Sequence, residues 1–155
     1  MKYKNIPGLI LAVIFFTSSL HAGEKAESFA VSKEKWDTLH IKEYYIKVNY
    51  NSFSPISGVW ELKVKNGIIY NCIFNGKPAE DYIQSAGIFT MEHLYKTAGQ
   101  SAASDKKGAF VIKATYGKDG LINSLSKIRN PEYKKSIQKD TTYRIEVLDF
   151  RPVGD

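Results

Sequence analysis

Cys72, His40 and His93 are the side chains in this sequence with the most reactive chemistry. A thiol and an imidazole within hydrogen-bond reach, backed by an oxyanion site, would make a nucleophile and its base. The string Tyr-Asn-Cys-Ile around Cys72 carries no signature of a cysteine nucleophile. A lone strand cysteine ordinarily packs as a small hydrophobe. Metal chemistry is no better served, because neither His40 nor His93 has a second His or Cys at ligand spacing. Glu92 and His93 are adjacent on a helical segment and point in different directions. Asp119, within Gly-Lys-Asp-Gly, lacks the alternating acids of a calcium loop and reads as a turn residue. Gly117 to Gly120 joins two strands, whereas a phosphate loop leads from a strand into a helix. The expectation is therefore no catalytic residue, no metal ligand and no cofactor.

Two groups of residues suit binding. Lys127, Arg129, Lys134, Lys135 and Lys139 gather around one loop with Tyr133 among them, a pattern for an anionic partner such as envelope lipid, acidic glycan or an acidic protein surface. Glu132 and Asp140 partly offset that charge, and a solvated loop is the plainer explanation. Tyr44, Tyr45, Tyr50 and Tyr70 could form an aromatic recognition face, since tyrosine supplies contact area at low entropic cost. Packing beneath a second layer is the plainer explanation.

The N-terminus speaks to compartment. Lys2 and Lys4 precede an apolar run from Ile6 to Phe16, then Thr17-Ser18-Ser19 and a small Ala22 ahead of Gly23. That order predicts a signal peptide over 1–22, with export through the general secretory route to the periplasm or medium. The apolar run is about half of the ~20 residues a spanning helix needs, so no stable membrane anchor is expected after cleavage. No cysteine lies at the cleavage point, which argues against a lipoprotein. Cleavage would leave 133 of the 155 residues, one domain's worth, and lower the formal charge from +6 to +4 as Lys2 and Lys4 depart. So mild an excess falls short of the dense basic stripe of nucleic-acid binders. With Cys72 as the single cysteine no internal disulfide is possible, and the hydrophobic core must hold the fold.

The elements that would position these residues follow from periodicity. Residues 23–31 read as a flexible lead-in, after which Ser32 is placed to cap a short helix turning Trp36 and Leu39 inward. Glu43 to Tyr50 suits a strand. Trp60, Leu62 and Val64 alternate with charged residues up to Asn66-Gly67, and Ile68 to Phe74 returns, a hairpin with positive φ at both turn positions. A two-residue loop pairs Val64 with Ile69, Leu62 with Asn71 and Trp60 with Ile73 on the core row, and Lys63 with Tyr70 and Glu61 with Cys72 on the outer row. Residues 79–88 read as an irregular connection. Thr90 then caps a helix with Met91, Leu94, Tyr95 and Ala98 on one stripe, a Phe89–Leu94 staple, and a Gly99 that ends it or loosens its last turn. Ala109 to Tyr116, Leu121 to Ile128 and Thr141 to Phe150 complete the strands.

Trp36, Tyr44 to Val48, Val64 to Gly67, Phe89 to Tyr95, Thr115-Tyr116 ahead of Gly120, and the strand Tyr143 to Phe150 occur in an order that resembles a family of bacterial exported domains of unknown function. The resemblance spans about residues 32–150 and implies a fold and an export route, with no activity attached. Gly117 stands where that family places an acid, and Leu121-Ile122 where it favours an aromatic-Pro step.

Residues 32–152 are accordingly expected to form a single α+β domain, an antiparallel sheet of five or six strands with one main helix on one face and a short N-terminal helix. The expected role is that of a non-enzymatic exported domain binding an envelope protein or a small ligand. The alternative is an envelope hydrolase whose site is assembled from residues distant in sequence. A third possibility is a sheet edge that pairs with another chain.

Overall fold

The computed structural model describes residues 28–103, 108–135 and 141–154. The expected signal peptide, residues 23–27 of the lead-in and Lys139 lie outside the described residues. Helix α1 (Phe29–Thr38) leads into β1 (Glu43–Ser52), β2 (Gly58–Lys65), β3 (Ile68–Phe74) and the two-residue β4 (Lys77–Pro78). A 3-10 turn (Glu80–Tyr82), the short α2 (Ile83–Ala86), a second 3-10 turn (Gly87–Phe89) and α3 (Met91–Ala103) follow. The chain closes with β5 (Phe110–Tyr116), β6 (Ile122–Arg129) and β7 (Tyr143–Pro152).

The strands form one seven-stranded sheet in the order β4-β3-β2-β1-β7-β6-β5. Every pairing is antiparallel. Two meanders are thus joined through α3 and meet where the first long strand lies beside the last. The α+β class and antiparallel sheet are as expected; the strand number is seven rather than five or six. The added strand is β4, too short to leave a periodic signal. The 79–88 connection also proves helical, in three pieces each too short to leave a sustained helical period in the sequence.

One face of the sheet carries the helices and the core. Tyr44, Ile46 and Val48 of β1, Trp60, Leu62 and Val64 of β2, and the α3 stripe Met91, Leu94, Tyr95 and Ala98 are all buried there. The Trp60 ring stacks on Phe74 at 4.3 Å and meets Phe89 at 5.3 Å. Aromatic pairs of this kind add about 0.5–1.5 kcal/mol each beyond burial.

Several local expectations are corrected by tertiary packing. The cap of α1 is Ser28, whose Oγ accepts from the Val31 amide; Ser32 lies buried inside the helix. Leu39, expected inside, ends that helix and is half exposed. Thr90 does cap α3, accepting from the His93 amide at 3.3 Å. Gly99 does not end α3, which continues to Ala103; the Phe29 ring packs where its side chain would be, 2.9 Å from a notional Cβ. The Asn66-Gly67 turn has the positive φ values it needs, 49° and 75°. Beyond Val64–Ile69 the register slips by one, giving Leu62–Cys72 and Trp60–Phe74. Tyr70 is the extra residue of a β-bulge. The slip turns Cys72, expected on the outer row, into the core and sets Ile73 opposite Glu61. A second bulge at Leu148 of β7 keeps Phe150 on the core side, against Trp36 and Tyr44.

Candidate functional site

The reactive side chains do not assemble. Cys72 is 2% exposed, and burial pushes its thiol above the ordinary value, the reverse of an activated thiolate. His40 is exposed at a left-handed φ of 48° in the loop before β1. His93 is half-buried on α3, where desolvation, aided by Lys96, lowers its pKa. Among the described residues no group of three His, Cys, Asp or Glu could hold a metal ion, and no helix is long and apolar enough to cross a membrane.

The four tyrosines are divided between the two faces of the sheet. Tyr44 and Tyr50 are in the core. The Tyr44 hydroxyl donates to Glu92 Oε2 at 2.5 Å and accepts from the Met91 amide at 3.0 Å, tying the start of α3 to β1. Burial, then Glu92, drives the Tyr44 pKa far upward. Tyr50 packs against Phe89 and Tyr143. Successive strand residues point to opposite faces, so Tyr45 emerges on the side without helices. Tyr70 joins it there. A further core tyrosine, Tyr95, hydrogen-bonds the Gly120 carbonyl and so fastens the β5–β6 turn beneath α1.

On the open face the side chains hold one another. Tyr45 donates its hydroxyl to Glu61 at 2.9 Å, and Lys47 pairs with the other oxygen of the same carboxylate at 3.0 Å. The Arg151 guanidinium lies 4.6 Å above the Tyr45 ring and pairs with Asp149 at 2.8 Å. Nearer the hairpin tip, Glu43 accepts from Lys65 at 2.6 Å and from the Tyr70 hydroxyl at 2.8 Å. These bonds hold both carboxyls below the ordinary value: Lys47 then Tyr45 act on Glu61, and Lys65 then Tyr70 on Glu43. Shallow depressions of about 490 and 500 Å³ adjoin at Glu43, Lys65 and Asn66. Sequence reasoning missed Glu43, Glu61 and Arg151 as site residues; alternation with core residues along β1 and β2 places Glu43 and Glu61 outward, whereas Arg151 is turned outward by the bulge at Leu148.

The basic residues lie at one end of the sheet. Strands β1 and β6 run the same way on either side of β7, with Ser52 opposite Tyr143 and Tyr143 opposite Lys127. Lys127 sits 4.6 Å over the Phe110 ring and donates to Thr141 Oγ1 at 2.7 Å. Arg129 is exposed two residues further along β6, and Lys134 and Lys135 are exposed in the loop beyond. A cleft of about 280 Å³ at this end is lined by Asn51, Phe53, Ser126, Lys127, Tyr143 and Arg144. Phe53 and Arg144 were not anticipated. Arg144 pairs with Glu146 at 2.7 Å, and Phe53 is 92% exposed.

Compared with models of protein families, with curated proteins and with solved structures, the chain finds no match in any of the three.

Proposed function

We propose that this protein is an exported, non-enzymatic domain of the cell envelope that acts by contact, with the open face of the sheet around Tyr45 as its recognition surface. The observation that carries the reading is the fixed position of Tyr45, between the Glu61 carboxylate beside its hydroxyl and the Arg151 guanidinium over its ring. An aromatic side chain already held in place loses little entropy when a partner covers it. The leader-like N-terminus and the resemblance to exported domains support the envelope location. The core position of Cys72 weighs against a thiol hydrolase.

The test is a pull-down from envelope extract with the tagged chain, washed at low and moderate salt, beside a Tyr45→Ala, Arg151→Ala variant. A stoichiometric partner that survives moderate salt and is lost with the variant supports the reading. A partner held equally by the variant overturns the choice of surface. No partner at either salt overturns protein contact as the mode of action.

A further inference from the structure

The loop between β1 and β2 holds a phenylalanine out in solvent on a rigid support. Ser52 and Ser54 share a hydroxyl contact at 2.8 Å, and the Ser54 amide donates to Ser52 Oγ at 3.1 Å. Ser57 Oγ donates to the Tyr50 carbonyl at 3.0 Å and accepts from the Ser52 amide at 3.2 Å. Trp60, buried below, donates its indole N–H to the Ile56 carbonyl at 2.9 Å. A floppy loop would let its aromatic residue fold back onto nearby apolar surface; this one keeps Phe53 92% exposed.

The surroundings of Phe53 are cationic. Arg144 and Lys127 line the same cleft, and Arg129, Lys134 and Lys135 continue the charge at the same end of the sheet. The acids there among the described residues are Glu146, which is paired with Arg144, and Glu132. A protruding aromatic ringed by Lys and Arg matches the boundary between anionic headgroups and acyl chains, where the ring enters the apolar layer and the cations remain among the phosphates.

We propose that this end of the sheet docks reversibly on an anionic lipid surface, with Phe53 as the inserted side chain and Lys127, Arg129, Lys134, Lys135 and Arg144 as the headgroup contacts. Lipid is favoured over an acidic protein because, among the described residues, none of the other large exposed apolar side chains, Ile68, Tyr82 and Leu148 among them, lines the Phe53 cleft. A protein interface generally surrounds its central aromatic with further buried apolar contacts. The surface is separate from the open face around Tyr45 and does not depend on the role proposed there.

The experiment places a reporter at the docking point. The full chain carrying Phe53→Trp is mixed with vesicles of phosphatidylglycerol and phosphatidylcholine, and with phosphatidylcholine alone. Trp36 and Trp60 are buried and set a constant background, so a change reports the introduced indole. Attachment through any other part of the chain leaves that signal unmoved. The expected result is a blue shift, with quenching by brominated acyl chains, on anionic vesicles only, weakening as salt rises. Lys134→Glu with Lys135→Glu in the reporter background should lower the apparent affinity at least about tenfold. Phe53→Ser, followed by flotation, should lose about tenfold or more. Reporter emission unchanged by anionic vesicles overturns the proposal. So does an equal, salt-insensitive shift on neutral vesicles, or a shift produced by polyglutamate and not by lipid.

Discussion

Replacing Tyr44 by Phe removes one oxygen atom and leaves the ring in place, which isolates what the hydroxyl does. That hydroxyl donates to the Glu92 carboxylate at 2.5 Å and accepts from the Met91 amide at 3.0 Å. The Met91 N–H belongs to the first turn of α3, where no intrahelical acceptor exists. A hydrogen bond to a charged group is worth about 1.5–3 kcal/mol, and a stranded buried N–H costs about 1–3 kcal/mol. The two overlap because one atom serves both, so the net loss is about 2–4 kcal/mol. For a domain of this size each kcal/mol moves Tm by about 3–5 °C, giving a fall of about 6–20 °C. Urea unfolding followed by tryptophan fluorescence should show the same loss as a lower midpoint with an unchanged slope. Tyr45→Phe is the internal control: its hydroxyl meets Glu61 on the open face, and its loss should cost under about 1 kcal/mol. A Tyr44→Phe variant within about 2 °C of the parent would refute the view of Tyr44 as the pin between β1 and α3.

Other expectations follow from the same contacts. Cys72 should react with iodoacetamide at least about 100-fold more slowly in the native chain than in urea, and fast native labelling would contradict its core position. The Glu61 carboxyl is held below its ordinary 4.5 in the folded chain, so its stabilisation is present above that value and is lost as pH falls through the lowered one. Glu61→Gln should therefore be less stable than the parent at pH 7 and converge with it as pH falls through the lowered value, whereas parallel stability curves would disprove the linkage. Gly58 has φ 148° and would bring a Cβ within 2.5 Å of Asn75 Oδ1, so Gly58→Ala should lose about 1–3 kcal/mol in urea melts. A silent Gly58→Ala change would show that the Asn75 contact yields freely.

What periodicity and turn chemistry could show was legible from the residues alone. Asn66-Gly67 announces its hairpin because few residue pairs accept positive φ twice, and the α3 stripe from Met91 to Ala98 keeps one helical face. The β-bulges were not legible. Tyr70 and Leu148 are good strand formers, so nothing in their chemistry marks them as extra residues, and the inward turn of Cys72 follows from the slip at Tyr70. Gly99 reads by propensity as an end or a loosened last turn, while its tertiary reason is the Phe29 ring, which fills the space a side chain would need. The candidate aromatic face failed on parity: Tyr44 and Tyr45 are neighbours in a strand and must part company. Arg151 and Phe53 gain their meaning only from tertiary neighbours. For Arg151 the neighbour is Tyr45, opposite it in the β1–β7 pairing; for Phe53 it is a cationic strand end.

The open face as recognition surface is tested most directly by photo-crosslinking in the producing cell. A photoreactive residue in place of Lys63, exposed beside Tyr45 in the β1–β2 register, is compared with one in place of Lys96, exposed on α3. Recognition through the open face predicts one discrete crosslinked adduct from position 63 and none from position 96. Adducts from position 96 alone, or from neither position, would contradict it.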